Sequence, residues 1–229
     1  MNKLLLKLST FAVASVTIVV TLAVPLSAQA QEVKGDAAVG KTKVAMCIGC
    51  HGIPGYQASF PEIHKVPKIS GQNAKYIVAA LNAYKKGERN QASMRGIAET
   101  LSDQDMADIA AYYSTHGVSA GAVLADKPSK TASAAVDALL KKGGCVACHG
   151  ENFAKPIDPA YPKIAGQHAD YLYVALKAYK TEKNPNVGRS NGVMAGMAKQ
   201  FSNSELKEIS KYIGSLDGDL KTVPQSKFR

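Results

Sequence analysis

The spacing of apolar and polar positions predicts a chain built mainly from helices. In the first half, Met106, Ile109 and Tyr113 recur at helical spacing after Ser102, a residue that favours helix starts. A second amphipathic stripe covers about residues 72–86, and equivalent stripes recur in the second half. Because no stretch alternates convincingly as a half-buried strand would, we predict an all-α fold.

An internal repeat organises these segments. The sequence PKISGQ at residues 67–72 recurs as PKIAGQ at 162–167, and AYK at 83–85 recurs at 178–180. We therefore predict tandem duplication of one domain, each copy having about three helices. In each copy a first helix, predicted mainly from its position, leads into a cysteine pair. The predicted boundaries are a leader at 1–30, domains at 31–117 and 131–229, and a linker at 118–130.

The first thirty residues have the features of a secretory signal peptide. Lys3 and Lys7 precede a mostly apolar run from Phe11 to Leu26, and the small-x-small sequence AQA ends at Ala30. A permanent membrane anchor is the competing interpretation, although this run is short and interrupted for a spanning helix. Export to the periplasm with cleavage after residue 30 is the prediction.

Two five-residue motifs carry the candidate chemistry, and together they contain every cysteine of the chain. Each reads C-x-x-C-H, at residues 47–51 and 145–149. This is the attachment signature of a c-type haem, in which two thiols bond to one porphyrin and the histidine binds its iron. A thioredoxin-like pair, a zinc site or two disulfides would not account for the histidine after each pair. We predict two covalent haems c, attached through Cys47, Cys50, Cys145 and Cys148.

Each predicted haem needs axial ligands, and the motifs supply one of them. His51 and His149 are the predicted proximal ligands. A ligating histidine usually donates its second ring N–H to a carbonyl, which fixes the tautomer and raises the basicity of the ligand. Pro67 and Pro162 occupy repeated positions downstream and are the candidate carbonyls.

Methionines at matched positions are the candidate sixth ligands. Met94 and Met194 both lie in the irregular stretch before the last helix of their copy. A thioether on iron favours the reduced state and raises the potential. Met197 is the rival in the second copy, but the repeat aligns it with Ile97, which cannot ligate. Met194 is therefore preferred.

Other histidines and tyrosines have weaker claims. His64, His116 and His168 lack repeated counterparts, which favours surface or structural roles. Tyr76 and Tyr171 are paired by the repeat. Packing in a helix core is the preferred role for these two tyrosines, and contact of a hydroxyl with a haem propionate is the alternative.

The net charge and its distribution favour some classes of partner and argue against nucleic acid. The formal net charge is +10, and removal of the leader leaves +8. Residues 31–120 carry 10 basic and 8 acidic side chains, whereas residues 121–229 carry 16 and 10. A basic face on the second half could attract an acidic partner or an anionic membrane surface, although solvated lysines on helix surfaces explain the excess equally well. Dispersed charge and export argue against nucleic acid.

With its C-x-x-C-H motif, its Pro-x-x-x-Gly-Gln segment and a methionine before a capped last helix, each copy resembles a class I cytochrome c domain. The tandem arrangement resembles the cytochrome c4 family of periplasmic di-haem electron carriers. The resemblance implies two His/Met-ligated haems facing each other across a domain interface. It also implies electron flow from a quinol-oxidising complex toward a haem–copper terminal oxidase. One departure is the first-domain loop Ile53–Val66, which has no close match in the shorter loop Glu151–Tyr161.

An enzymatic role is the alternative, namely a di-haem subunit of a redox enzyme. Such a protein would resemble either the cytochrome partner of a sulfide-oxidising flavoprotein or a peroxidase. A peroxidase needs an iron with an open coordination position, whereas a tightly bound subunit could keep both methionine ligands. No acid, base or nucleophile constellation stands out in the sequence, so we predict an electron carrier and not an enzyme.

Overall fold

A computed structural model describes residues 33–119, 121, 123–181 and 184–224. The predicted signal peptide at 1–30, and with it the competing anchor, lies outside these residues. Within the described ranges, no helix is both long and apolar enough to cross a membrane.

The first copy contains five helices in its described residues. Ser102 begins the last of them with a capping box, in which its hydroxyl accepts from the Asp105 backbone and the Asp105 carboxylate accepts from the Ser102 N–H. The five helices are α1 Ala37–Lys43, α2 Ala45–His51, α3 Ala74–Lys85, α4 Ala92–Glu99 and α5 Asp103–Thr115.

The second copy repeats this order, with α10 capped by Ser202 and Glu205 in the same way. Its helices are α6 Ala134–Lys142, α7 Val146–His149, α8 Ala169–Lys180, α9 Gly192–Ala198 and α10 Asn203–Ser215. The all-α prediction is confirmed, but five helices replace the three expected in each copy. The extra ones are four to eight residues long, which is too short for a stripe of period 3.6 to be recognised.

Among the described residues, four two-residue strands accompany the helices. β1 Gln57–Ala58 and β2 His64–Lys65 form an antiparallel hairpin inside the long first-domain loop. β3 Arg89–Asn90 pairs with β4 Gly188–Arg189, again antiparallel, and this pair joins the two copies. Strands of this length carry no alternating pattern, which explains why the sequence did not predict them.

Each copy has its own apolar core between its middle and last helices. In the first copy Ile77 and Leu81 of α3 pack with Met106, Ile109 and Tyr113 of α5. In the second copy the corresponding set lies on α8 and α10 and is joined by two buried phenylalanines; it comprises Leu172, Leu206, Ile209, Ile213, Phe153 and Phe201.

The two copies contact each other through the repeated segments themselves. The Gln72 side-chain amide donates to the carbonyl of Lys163 and accepts from its backbone N–H, both at 2.9 Å. Gln167 makes the same two bonds to Lys68, also at 2.9 Å. Both glutamines are buried. The interface therefore has approximate two-fold symmetry, because each copy contributes the same contact to the other.

The predicted linker contacts the second copy, and the segment after α10 contacts the first. Linker residues lie along the second copy, where Asp126 pairs with Lys155 and the Lys130 carbonyl accepts from the Tyr212 hydroxyl at 2.9 Å. After α10 the chain returns to the first copy, where the Lys221 N–H donates to the Ser70 carbonyl at 3.0 Å. The predicted boundary at residues 118–130 remains a prediction.

Candidate functional site

The cysteine motifs lie on short helices near the core of each copy. Cys47 and Cys50 are one turn apart on α2, whereas Cys145 immediately precedes α7 and Cys148 lies within it. All four thiols are free and half-buried. Burial raises the pKa of the Cys47 thiol to about 11 and raises that of Cys145 as well. In each pair the two unpaired sulfurs lie about one helical turn apart, so both could bond to the same group.

Each motif histidine is held by a carbonyl from a downstream loop. His51 Nδ1 lies 2.7 Å from the Pro67 carbonyl oxygen, and His149 Nδ1 lies 3.1 Å from that of Pro162. A carbonyl can only accept, so Nδ1 carries the proton and Nε2 keeps its lone pair. Burial lowers the pKa of both imidazoles, which favours the neutral form that a metal requires.

Met94 and Met194 have the same local structure in the two copies. The Met94 N–H donates to the side chain of Gln91, which caps α4, at 2.7 Å. The Met194 N–H donates to the side chain of Asn191, which caps α9, at 3.0 Å. Each methionine is thus fixed in the first turn of a short helix, and both side chains are half-buried.

Met197, the rival methionine, is one turn further along α9. It is 37% exposed, and its sulfur accepts a weak contact from the Gln200 amide at 3.7 Å. Its counterpart in the first copy is Ile97, as the repeat indicates. Met197 therefore has neither the burial nor the capped position that Met94 and Met194 share.

The donor set and its surroundings fit a haem of the c type. In the first copy Cys47 and Met94 border the same apolar core cluster, together with Ile48 and Ile69. In the second copy Cys145 and Ile164 border the larger cluster around Phe153. Each copy therefore provides two thiols and a neutral imidazole near an apolar core, as a covalently held haem requires. In the first copy a thioether, that of Met94, also borders this core.

Two of the three remaining histidines have hydrogen-bond partners within the protein. His64 is buried with its Nδ1 2.8 Å from the Glu62 carbonyl, and His116 Nδ1 is 2.9 Å from the Ser70 hydroxyl. His168 immediately precedes α8. Burial lowers the pKa of His116 and of His168.

Sequence reasoning missed two arginines, Arg89 and Arg189. Their guanidinium groups donate to the hydroxyls of Tyr76 and Tyr171, at 3.2 and 3.0 Å respectively. The tyrosines were considered as core residues of their helices, yet their hydroxyls have polar partners at the domain junction. A signal was available, because each arginine lies five residues before the candidate methionine of its copy.

Comparison with known proteins matches both copies to one family. The model described as Cytochrome c matches residues 37–116 and again residues 133–217. Cytochrome c4 from Pseudomonas aeruginosa is 33% identical over 189 residues, which cover 80% of this chain and 89% of that protein. A protein named thiosulfate dehydrogenase electron acceptor, from Stutzerimonas stutzeri, is 29% identical over 204 residues, covering 83% of this chain and 90% of the relative.

A solved structure also resembles the fold. Reduced recombinant cytochrome c4 from Pseudomonas stutzeri superposes with a TM-score of 0.56 at 28% sequence identity. The match covers 80% of this chain and all of that one. The likeness therefore extends over both repeats and is not confined to a single domain.

Proposed function

The chain belongs to the cytochrome c family, among the cytochrome c4 proteins, and we propose that it carries electrons between respiratory complexes in the periplasm. It is a di-haem electron-transfer protein with two covalently attached haems c, one in each repeat. When bound, each haem supplies a one-electron iron couple. The surrounding chain sets the potential of that couple through ligation, hydrogen bonding and burial.

The proposed axial ligands are His51 and Met94 in the first domain and His149 and Met194 in the second. The observation that carries this assignment is that both copies combine a carbonyl-bound histidine with a capped methionine. The carbonyl of Pro67 or Pro162 orients the imidazole and increases its basicity. The thioether favours the reduced state. If these side chains hold both axial positions of the iron, no position would be left for a substrate.

The proposed donor is a quinol-oxidising complex and the proposed acceptor is a haem–copper terminal oxidase. The basic excess of residues 121–229 supports an acidic partner or peripheral attachment to an anionic membrane. Electrostatic steering of this kind would make the association rate fall as ionic strength rises. Stopped-flow transfer to a purified oxidase at several salt concentrations tests the acceptor.

Export and cleavage form a separate part of the proposal. Residues 1–30 would be removed during export, so that the mature chain begins at Gln31. Intact-protein mass spectrometry should give the mass from Gln31 onward plus two haems. A mass that retains residues 1–30 would contradict cleavage and favour a membrane-anchored form.

The decisive experiment is an optical redox titration of the purified holoprotein, repeated under carbon monoxide. We expect two high-potential one-electron steps and no shift with carbon monoxide, because His/Met ligation leaves no open position. A haem that binds carbon monoxide readily would overturn His/Met ligation at that site. The peroxidase-like alternative would then be favoured.

A second candidate is the electron acceptor of a sulfur-oxidising enzyme. The observation that favours it is the similarity to the relative named thiosulfate dehydrogenase electron acceptor. This candidate also covers the tightly bound subunit of a sulfide-oxidising flavoprotein, which could keep both methionine ligands. Co-purification from the native periplasm, followed by reduction assays with thiosulfate or sulfide, distinguishes both from a free respiratory carrier.

A further inference from the structure

The segment after α10 continues beyond the part of the chain that matches the family. The second family match ends at residue 217, whereas the structure describes the chain as far as residue 224. Leu216 and Leu220, at the start of this stretch, are both buried. Because burial of apolar surface stabilises a conformation, these leucines hold the segment against the protein. Residues 217–224 are called the strap below.

The first half of the strap lies on the second copy. A Cβ atom on Gly218 would overlap the Ala165 carbonyl group, so the two backbones are in direct contact. The Asp219 carboxylate accepts from Lys163 Nζ at 2.9 Å, and these side chains are only 20% and 18% exposed. Lys163 and Ala165 belong to the repeated segment at 162–167. The strap therefore begins on one copy of the repeated segment.

The second half of the strap crosses to the equivalent segment of the first copy, at 67–72. The Lys221 N–H donates to the Ser70 carbonyl at 3.0 Å, and the two residues form an antiparallel bridge. Gly71 has a φ of +82°, and a Cβ atom there would lie 2.6 Å from the Asp219 carbonyl oxygen. Glycine is required at this crossing, both for its backbone conformation and for the close approach of the strap.

The end of the strap lies beside the residue that follows the first motif histidine. A Cβ atom on Gly52 would lie 3.4 Å from the Val223 carbonyl oxygen. His51 Nδ1 is bonded to the Pro67 carbonyl oxygen at 2.7 Å. Ser70, which accepts from the strap, is three residues after Pro67. The strap therefore contacts the chain on both sides of the hydrogen bond that orients this imidazole.

The second motif histidine has a comparable neighbour of different origin. The linker after α5 crosses to the second copy, where the Asn152 side chain donates to the Ala125 carbonyl and Leu124 packs against the cluster around Phe153. Asn152 lies three residues after His149. Each histidine loop is thus contacted by the segment that leaves the last helix of the other copy. The linker joins the two matched regions and has to cross, whereas the strap crosses after the second of them has ended.

We propose that the strap positions the proximal ligand loop of the first haem, with Lys221 as its main positioning residue. By holding the backbone on both sides, the strap keeps the Pro67 carbonyl within hydrogen-bonding distance of His51. The second domain thereby contributes to the ligand environment of a haem that it does not bind. The proposal rests on the proposed ligation by His51 and deepens it.

The expected consequence is a change in the potential of one haem. A carbonyl that accepts from the imidazole raises the basicity of this ligand, and a more basic ligand favours the oxidised iron. Loss of the strap should weaken the hydrogen bond between His51 and Pro67 and so make the first haem easier to reduce. The second haem should be little affected, because its histidine loop contacts the linker. A merely structural strap would change stability and neither potential.

The first test is a redox titration of the holoprotein truncated after Leu220, which keeps the contacts of the strap with the second copy. We expect the reduction equilibrium constant of the first haem to rise by about threefold. Hydrogen exchange of peptides covering residues 66–72 should accelerate by about tenfold. Truncation after Pro224 is the matched control, because it keeps every contact described above, and it should behave like the wild type. Met94→Ala and Met194→Ala assign each redox step to its haem.

A pair of substitutions tests Lys221 without shortening the chain. Lys221→Pro removes the N–H that donates to Ser70, whereas Lys221→Ala keeps this N–H and loses the same charge. We expect the proline variant to reproduce most of the change caused by truncation and the alanine variant to stay close to the wild type. If the truncated chain does not take up two haems, this pair provides the test by itself.

Three results would overturn the proposal. A first-haem potential that stays unchanged or falls after truncation would show that the strap does not position the ligand loop, whatever happens to hydrogen exchange. Equal shifts of both potentials would show that the strap acts on the arrangement of the domains and not on the loop of His51. Equal shifts in Lys221→Pro and Lys221→Ala would assign the effect to the lysine charge. Failure of the proposed function would instead appear in the wild type, as carbon monoxide binding or the absence of two reversible steps.

Discussion

The two domains present the same donor set but support it by different physical means. In the first domain α1 lies directly on α5, with the helix backbones in contact at Gly40. A Cβ atom at Gly40 would lie 2.0 Å from the Asp108 carbonyl oxygen. The Asp108 carboxylate, only 3% exposed, accepts from Lys43 Nζ at 2.7 Å and from the Asp36 N–H at 2.8 Å. Polar contacts therefore fix the first helix of this domain.

The second domain replaces these contacts with apolar ones. Glu208 lies six positions after its capping serine, as Asp108 does, but it is exposed and pairs with Lys211 on its own helix. The first helix, α6, instead packs through Leu140 against the cluster that contains Phe153 and Phe201. The two copies therefore share the proposed ligands of the site, whereas the contacts behind these ligands differ. The two domains should therefore unfold under different conditions.

Removal of one haem should give the largest difference between the domains. Cys145→Ala/Cys148→Ala should reduce the covalent haem content from two to one, and Cys47→Ala/Cys50→Ala should do the same. Each bound haem would add a large apolar element to the core of its domain, so the affected domain should lose protection against hydrogen exchange. The first domain should keep more protection in α1 and α5, because their polar contacts do not involve the haem. Equal loss in the two variants would contradict the comparison.

Replacement of the candidate axial methionines should have the next largest effect. Met94→Ala and Met194→Ala should each lower the potential of one haem by on the order of 100 mV, since axial ligands tune haem potentials over a wide range. Met197→Ala is the control, because its exposed side chain contacts Gln200. If Met197→Ala lowers a potential and Met194→Ala does not, the assignment from the repeat is wrong.

A reciprocal exchange at the first helix tests the packing difference directly. Gly40→Ala should destabilise the first domain by about 3 kcal/mol, because its methyl group meets the α5 backbone. Ala138, likewise seven residues before its first cysteine, is exposed. Ala138→Gly should cost the second domain only about 1 kcal/mol through helix propensity. The free energy of opening, from hydrogen exchange of the α1 and α6 peptides, gives both values. Similar costs would contradict backbone contact at Gly40.

The candidate site could be proposed from the sequence, whereas the contacts that support it could not. The C-x-x-C-H motifs and the capping boxes each span a few residues, so they can be recognised from spacing alone. The methionines were predicted from their matched positions in the two copies. The partners of Asp108 include Lys43 and Asp36, which are more than sixty positions away in the sequence. A salt bridge between such distant residues leaves no local pattern. The repeat could not reveal it either, because the second domain lacks it.

The domain junction was missed for a related reason. Arg89 and Arg189 each look like an exposed charge between two helices when their own copy is considered alone. Their roles depend on pairing of β3 with β4, which are two residues long and come from different domains. Only the matched positions of the arginines before Met94 and Met194 pointed to a common role.

Low pH should destabilise the first domain more than the second, and this effect should be smaller than that of the Gly40 substitution. The pKa of Asp108 is lowered by hydrogen bonds from Lys43, Asp36 and Gln104, and that of Asp105 is lowered chiefly by Lys43. A lowered folded-state pKa contributes stability above the ordinary aspartate value of about 3.9, and this stability is lost as pH falls toward the folded value. Hydrogen exchange at pH 7 and at about pH 3 should therefore show α1 and α5 loosening more than α6 and α10.

The Lys43→Met variant tests whether the contacts of Lys43 cause this acid sensitivity, because it removes the charge while keeping most of the side chain. The pKa of Glu205 in the second domain is lowered chiefly by hydrogen bonds from its capping serine, with smaller contributions from the charges of Lys142 and Lys180. The variant should therefore weaken α1 at neutral pH and bring the acid responses of the domains closer together. An unchanged difference between them would assign the acid sensitivity to other carboxylates.

The long loop Ile53–Val66 should give the smallest effect, although it makes the clearest asymmetry in sequence. From the first domain it reaches α8, where Glu62 pairs with Lys177 at 2.8 Å and Lys65 pairs with Asp170 at 3.3 Å. These side chains are about one-third exposed, so solvent screens them. Glu62→Gln should reduce the free energy of unfolding by only about 0.5 kcal/mol at low salt and by less at high salt. Glu208→Gln removes a comparable pair within α10 and is the matched control. If Glu62→Gln instead changes both haem potentials, the loop influences the redox centres as well as contributing a weak surface ion pair.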